Sequence, residues 1–109
     1  MKNEQEIMQI ITTGGDARAK YLTALQEARN RNWREVDELL EQAEISLNEA
    51  HKTQTSLIQR EIRGEEIETS LLMVHAQDHL MNAITVKDLV CEMILFIKEK
   101  VNEESGRIK

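Results

Sequence analysis

Residues 71–97, "LLMVHAQDHLMNAITVKDLVCEMILFI", form the most apolar part of this chain of 109 residues. The segment contains neither glycine nor proline, and its apolar residues fall on nearly every side of a helix, which predicts a helix over about 70–102. A helix that is apolar nearly all round must be buried on all sides. Two other helices of the same chain can cover only part of it. We therefore expect further copies of the protein to cover the rest.

Five polar residues interrupt this apolar helix within eight positions. At 100° per residue, His75, Asp78, His79 and Asn82 share an arc of roughly 100°, whereas Gln77 points to another side. The same face continues with apolar residues, namely Val86, Leu89, Met93 and Ile97. We interpret the four polar residues as a patch at a packed interface and not as a solvated surface, because buried ionisable groups are costly unless they are paired or used.

A first helix is predicted over about 4–30 by a stripe of apolar and small residues. The stripe consists of Ile7, Ile10, Gly14, Ala17, Tyr21, Ala24 and Ala28. It stays in phase through Gly14 and Gly15, so we expect a continuous helix despite a cost of roughly 1 kcal/mol per glycine. Gly14 then lies where a neighbouring helix approaches closely. The alternative is a break at the glycines, with Asp16 as the N-cap of a new helix.

A second helix is predicted over about 33–63. Asn32, followed three residues later by Glu35, is typical of an N-cap with a capping box. Gly64 is a favourable residue just after a helix end, and Thr69 or Ser70 is the expected N-cap of the third helix. The segment "NEESGRIK" at the end of the chain is expected to be frayed.

Three such helices predict an all-α fold, a single domain over 1–109 built as an antiparallel three-helix bundle that runs up, down and up. The apolar excess of the third helix predicts that copies of this bundle assemble into a homo-oligomer. If the second and third helices are antiparallel about a turn near residue 66, Gln54 lies level with Asp78 and His51 lies level with Met81. Polar groups of two helices then meet at one height.

The composition excludes several function classes. A formal net charge of −6 disfavours nucleic acid and anionic membranes as main partners. No apolar segment approaches the roughly 18 residues of a membrane span, and the acidic N-terminal segment does not resemble a signal peptide. The single cysteine, Cys91, cannot form an internal disulfide, which favours a reducing, cytoplasmic location.

The polar patch leaves three kinds of chemistry open. His75 is a base, a nucleophile or a metal ligand, or a core histidine that a neighbour satisfies. With His79 it has the spacing H-x-x-x-H, but a metalloprotease motif carries glutamate where Ala76 stands, and a third zinc ligand is not evident. If the face lines a symmetry axis, copies of Asp78 converge and require a cation such as Mg²⁺. The polar layer could also simply set the register of a helical scaffold.

Three segments of the chain resemble a known family. "LMVHAQDHLMNAITVKDLV" (72–90) is similar to the signature of the enzyme IIA component of the lactose/cellobiose (diacetylchitobiose) class of the bacterial sugar phosphotransferase system. "GGDARAKYLTAL" (14–25) resembles the first-helix motif of that family, and "LNEAHKTQTSLIQREIRGEE" (47–66) resembles its second-helix and loop motif. Order and spacing agree from about residue 5 to residue 100.

The resemblance implies a homotrimer, which is a bundle of nine helices, that relays phosphoryl groups in the cytoplasm during the uptake of a disaccharide. His75 is implied to accept the group from the histidine phosphocarrier protein and to pass it to the cognate enzyme IIB. Asp78 matches the aspartate that meets its symmetry mates around a divalent metal on the trimer axis. Gln77 and His79 match positions beside the phosphohistidine. Gln54 and His51 are further candidate supporting residues, because the predicted register brings them near this height.

Overall fold

The computed structural model describes the backbone of residues 2–108 and the side chains of residues 2–106. Three helices make up the described chain: α1 (Glu4–Arg29), α2 (Trp33–Ile62) and α3 (Leu71–Ile108). They form an elongated bundle of 64 × 20 × 19 Å. The predicted all-α, three-helix architecture is thus confirmed. None of the helices in the described part is long and apolar enough to cross a membrane.

Helix α1 lies between the other two helices. It packs along both α2 and α3, while α2 and α3 approach each other much less. The residues that α1 buries are those of the predicted stripe: Ile7, Ile10, Gly14, Ala17, Tyr21, Ala24 and Ala28. Small residues on this stripe allow α2 and α3 to approach the backbone of α1 closely. The arrangement leaves one long side of α3 without a neighbour in the same chain.

The two adjacent glycines lie inside α1 and do not break it. A Cβ atom at Gly14 would lie 3.7 Å from both Cα and N of Leu80, so this is where the backbones of α1 and α3 come close together. The alternative, with Asp16 as an N-cap, is wrong. The carboxylate of Asp16 instead accepts a hydrogen bond from the Ser46 hydroxyl (2.6 Å) and pairs with the Lys20 ammonium (2.9 Å).

The helix ends agree with the sequence in part. Gly64 follows α2 with a φ of +97°, in the left-handed region that glycine adopts readily. Ser70 caps α3, because its hydroxyl accepts the backbone N–H of Met73 at 3.1 Å. Asn32 is the N-cap residue of α2, as predicted, but the predicted capping box is wrong. Its amide donates to the carboxylate of Glu27 (2.7 Å), and its side chain makes no cap hydrogen bond.

The C-terminal part of α3 also differs from the prediction. The helix continues to Ile108 and does not end near residue 102, so the described part of "NEESGRIK" is helical. Glu104 accepts a hydrogen bond from the guanidinium of Arg31 at 2.7 Å, which ties this part of α3 to the turn between α1 and α2. Both side chains are more than half exposed, so this ion pair contributes only weakly to stability.

A stripe of large apolar side chains on α3 remains exposed in the single chain. We call it the open face of α3; it also carries His75 and Asp78. Its members are Leu71 (86% exposed), Val74 (56%), Leu89 (60%), Met93 (51%) and Phe96 (58%). Exposed apolar side chains in this number on one face, on both sides of the polar residues, are typical of an interface and not of a surface in water. The open face of α3 is therefore exposed in a single chain, and it is the surface that the sequence predicts further copies to cover.

Candidate functional site

The two histidines of α3 form a hydrogen-bonded pair near the start of the open face. The Nε2 atoms of His75 and His79 are 3.1 Å apart. The rings meet edge to face, with their centroids 4.5 Å apart and their planes at 83°. Residues four positions apart on a helix lie one above the other, and this places both rings together. Between two neutral imidazoles, one Nε2 must donate and the other must accept, so the two rings are opposite tautomers.

The surroundings of the two rings differ. His75 is exposed and borders an open depression lined by Leu71, Leu72, Val74 and Asp78. His79 is half-buried, and its Nδ1 edge faces α1. The accessible ring is therefore that of His75, while His79 supports it from the side of the bundle.

Asp78 lies on the open face beside His75. It is exposed, and its carboxylate forms no hydrogen bond or ion pair within the described residues. Within the described part of one chain, no three histidine, cysteine or acidic side chains lie close enough together to hold a metal ion. The H-x-x-x-H spacing thus lacks the third ligand that a catalytic zinc needs. One chain offers a divalent cation only one carboxylate here, so such a site needs several copies of the chain.

Gln77 lies on a different side of α3, where α2 comes near. The Nε2 of Gln54 donates a hydrogen bond to Oε1 of Gln77, and Nε2 of Gln77 lies 3.9 Å from the sulfur of Met73. The predicted meeting of polar groups from α2 and α3 is therefore correct to within one residue, since Gln54 meets Gln77 and not Asp78. This amide pair lies on the other side of α3 from the ring of His75.

His51 does not reach the histidine pair within one chain. It is exposed on α2, in a shallow depression whose other lining residues all belong to the same helix: Asn48, Lys52, Thr55, Ser56 and Gln59. The register places its backbone at about the expected height, but its side chain is on another side of the bundle.

Two features of the site's surroundings escaped the sequence reasoning. The guanidinium of Arg60 binds both oxygens of Glu65 (3.0 and 2.9 Å) and one oxygen of Glu6 (2.6 Å). These hydrogen bonds raise the pKa of Arg60, and the same guanidinium lowers the pKa of Glu65. The ion pairs join the ends of α1 and α2 to the loop that leads into α3. The second feature is Gly15, which faces the ring of His79. In the sequence, the two adjacent glycines are the only sign of this contact between α1 and the ring of His79.

Known proteins resemble this chain over nearly its whole length. The family model described as "PTS system, Lactose/Cellobiose specific IIA subunit" matches residues 5–98. The lichenan-specific phosphotransferase enzyme IIA component of Bacillus subtilis is 48% identical over 103 residues, which cover 94% of this chain and 93% of that protein. The lactose-specific EIIA component of Staphylococcus aureus is 39% identical over 100 residues, covering 88% of this chain and 97% of the relative.

A solved structure agrees with these matches. The cellobiose-specific enzyme IIA of Bacillus anthracis superposes on the present structure with a TM-score of 0.89 and 47% sequence identity, and the alignment covers 94% of both chains. The family resemblance found in the sequence is thus confirmed, and the two chains share the same overall fold. The chain belongs to the lactose/cellobiose-specific enzyme IIA family of the sugar phosphotransferase system.

Proposed function

We propose that this protein is a cytoplasmic phosphohistidine carrier for the uptake of a cellobiose-, lactose- or chitobiose-type disaccharide. His75 accepts a phosphoryl group from the histidine phosphocarrier protein and passes it to the cognate enzyme IIB. The observation that carries the proposal is the pair of imidazoles, with the exposed ring of His75 held through its Nε2 by His79. Membership of the enzyme IIA family supports it.

The hydrogen bond between the two rings explains how His75 acts as a nucleophile. If His79 carries its proton on Nε2 and donates it, His75 keeps its own proton on Nδ1 and presents a lone pair at Nε2. During transfer, the bond between phosphorus and the donor's nitrogen breaks, and its electron pair stays on that nitrogen. A bond from Nε2 of His75 to phosphorus forms at the same time. Because Nε2 of His75 has a single lone pair, its hydrogen bond with His79 breaks as the bond to phosphorus forms, and the N–H of His79 then donates to a phosphoryl oxygen.

The charges around His75 suit a reversible relay. Phosphoryl transfer passes through a loose transition state, so the protein contributes mainly positioning and charge stabilisation. The residues lining the depression beside His75 include no lysine or arginine. Neutral donors such as His79 hold a phosphoryl group less tightly than a guanidinium does, which keeps the onward transfer to enzyme IIB favourable. Gln77 is hydrogen-bonded to Gln54 on the side of α3 away from the His75 ring, so in this arrangement it does not contact a phosphoryl group on His75 of its own chain.

The working form is proposed to be a homotrimer in which the open face of α3 is buried. Full burial of each large apolar side chain contributes roughly 1.5–3 kcal/mol, and the open face carries five that are more than half exposed. Three copies would bring three Asp78 carboxylates to the axis, and Mg²⁺ or another divalent cation fits such a set of oxygen ligands. The cation would offset the repulsion between these carboxylates and has a structural role.

The proposal is tested by phosphorylating the protein with its upstream components and measuring the intact mass. We expect the gain of one phosphoryl group that is labile in acid and stable in base, and its loss in His75→Ala. The chain has three histidines, and His51→Ala is the matched control because His51 lies outside the pair. Unchanged phosphorylation of His75→Ala would contradict the assignment of the site.

A further inference from the structure

Helix α1 passes α3 at two consecutive glycines, and these face different parts of it. A Cβ at Gly14 would meet the backbone of Leu80, with Cα and N both at 3.7 Å. A Cβ at Gly15 would meet the side chain of His79, with Nδ1 at 3.8 Å and no other atom within 4 Å apart from the neighbouring backbone of α1 itself. Gly14 therefore sets the approach of the two backbones, whereas Gly15 borders the imidazole that holds His75.

The local backbone does not require a glycine at position 15. Gly15 lies inside a continuous helix, and Gly64 is the glycine with a positive φ in the described chain. Glycine in such a position costs roughly 1 kcal/mol relative to alanine. The space beside it accepts a methyl group, because 3.8 Å is an ordinary contact distance. It does not accept a larger group in the direction of the ring, since a γ-carbon extends about 1.5 Å beyond Cβ.

We propose that Gly15 is a positioning residue that acts through His79. The absent side chain leaves room for the His79 ring to stand with its Nδ1 edge against α1 and its Nε2 against Nε2 of His75. In this way α1 helps to orient His75, the proposed phosphoryl acceptor, across the contact between α1 and α3. The inference deepens the proposed function and rests on it, because it assigns the support of the nucleophile proposed there.

This placement also selects the tautomers. Nδ1 of His79 has no hydrogen-bond acceptor among the described residues. A proton on that edge would therefore lack a protein partner, which is unfavourable for a half-buried donor. On this ground the proton of His79 is assigned to Nε2, from which it is donated to Nε2 of His75. A side chain at position 15 that displaces the ring breaks this hydrogen bond and frees the proton of His75 to move to Nε2, where it blocks the nucleophilic lone pair.

The variant that tests the proposal is Gly15→Val, because a β-branched residue is restricted to few rotamers in a helix and cannot turn both methyl groups away. We expect phosphorylation of His75 to slow by about tenfold in kcat/KM, the effect of one net hydrogen bond. Gly15→Ala should keep the wild-type rate. Gly106→Val is the matched control, since Gly106 is a helical glycine with nothing within 4 Å.

A double-mutant cycle separates positioning from a general effect on the helix. If Gly15 acts through His79, Gly15→Val has no further effect on the rate in a His79→Ala background. An equal slowing in both backgrounds would overturn the proposal. Gly15→Leu, a better helix former, is measured alongside so that a folding defect of the valine variant does not decide the outcome. A wild-type rate in a folded Gly15→Leu variant would also overturn it.

Nitrogen-15 NMR of the unphosphorylated protein gives an independent measurement. We expect the wild-type protein and Gly15→Ala to show His75 protonated on Nδ1 and His79 protonated on Nε2, and Gly15→Val to show a mixture of tautomers. Wild-type tautomers in Gly15→Val would refute the positioning role. A wild-type protein that is not phosphorylated at all would instead refute the proposed function, and the NMR result would still decide whether Gly15 positions His79.

Discussion

Tyr21 allows the packing around α1 to be tested with one titration. The residue lies on the inner stripe of α1 and is only 2% exposed. Burial, followed by the negative charges that Cys91 and Glu44 carry at high pH, raises the pKa of Tyr21 from 10.0 to about 12. The folded protein therefore resists forming the phenolate, because the charged ring would lose most of its water.

The difference between these two values sets the expected effect on stability. At 1.36 kcal/mol per pKa unit, a rise from 10.0 to about 12 corresponds to about 2.7 kcal/mol. Because the folded pKa lies above the unfolded one, this contribution is fully present below pH 10 and is lost as the pH rises from 10 to 12. The free energy of unfolding should fall over that range by about 2.7 kcal/mol more in the wild-type protein than in Tyr21→Phe.

The assay is specific because Tyr21 is the only tyrosine in the chain. Tyrosinate absorbance therefore reports this side chain alone, and its midpoint should lie near pH 12 in the folded protein and near pH 10 in denaturant. Cys91→Ala is the control for the thiolate, and its midpoint should be slightly lower than that of the wild-type protein. A midpoint near pH 10 in the folded protein would refute the burial of Tyr21 against α2 and α3.

Two further outcomes are expected. Ser46→Ala removes the hydrogen bond that, together with Lys20, lowers the pKa of Asp16, so the free energy of unfolding at pH 7 should fall by about 1 kcal/mol. A lowered carboxyl pKa stabilises the fold only while the carboxyl is ionised, so the difference should vanish in urea titrations at strongly acidic pH. An equal loss at both pH values would contradict this. Asp78→Leu should leave the trimer intact without bound metal, because the substitution removes converging charges and adds apolar contact to the open face. Dissociation of this variant to monomers, measured by light scattering, would count against an axial position for Asp78.

The helices themselves could be predicted because their signals are local. The stripe of α1 continues in phase through Gly14 and Gly15, and the structure shows one helix. Errors arose at helix ends, where the contacts that side chains make depend on more than the local pattern. The amide of Asn32 binds Glu27 instead of capping α2, and α3 extends to Ile108 with Glu104 bound to Arg31, 73 positions earlier in the chain.

The part of the site that lies on a single helix could be predicted from the sequence. Four-residue spacing was enough to place His75 and His79 on one face, and the structure adds the contact between their Nε2 atoms. To predict which residue Gln54 contacts, the register between α2 and α3 must be known. An estimate from the position of the turn between these helices gives that register only to within a residue. The trimer and its axial cation stay predictions, supported by the uncovered side of α3.

The sequence by itself determined the three helices, the family and the face on which the two histidines lie, because helix periodicity and motif spacing are properties of the chain alone. Only the tertiary structure decided which atoms meet across helices: Gln54 with Gln77, Arg60 with Glu6, and Gly15 with the ring of His79. These contacts depend on the rotation and shift of one helix against another. Those are set by how all the buried side chains pack at once, and short-range patterns do not record them.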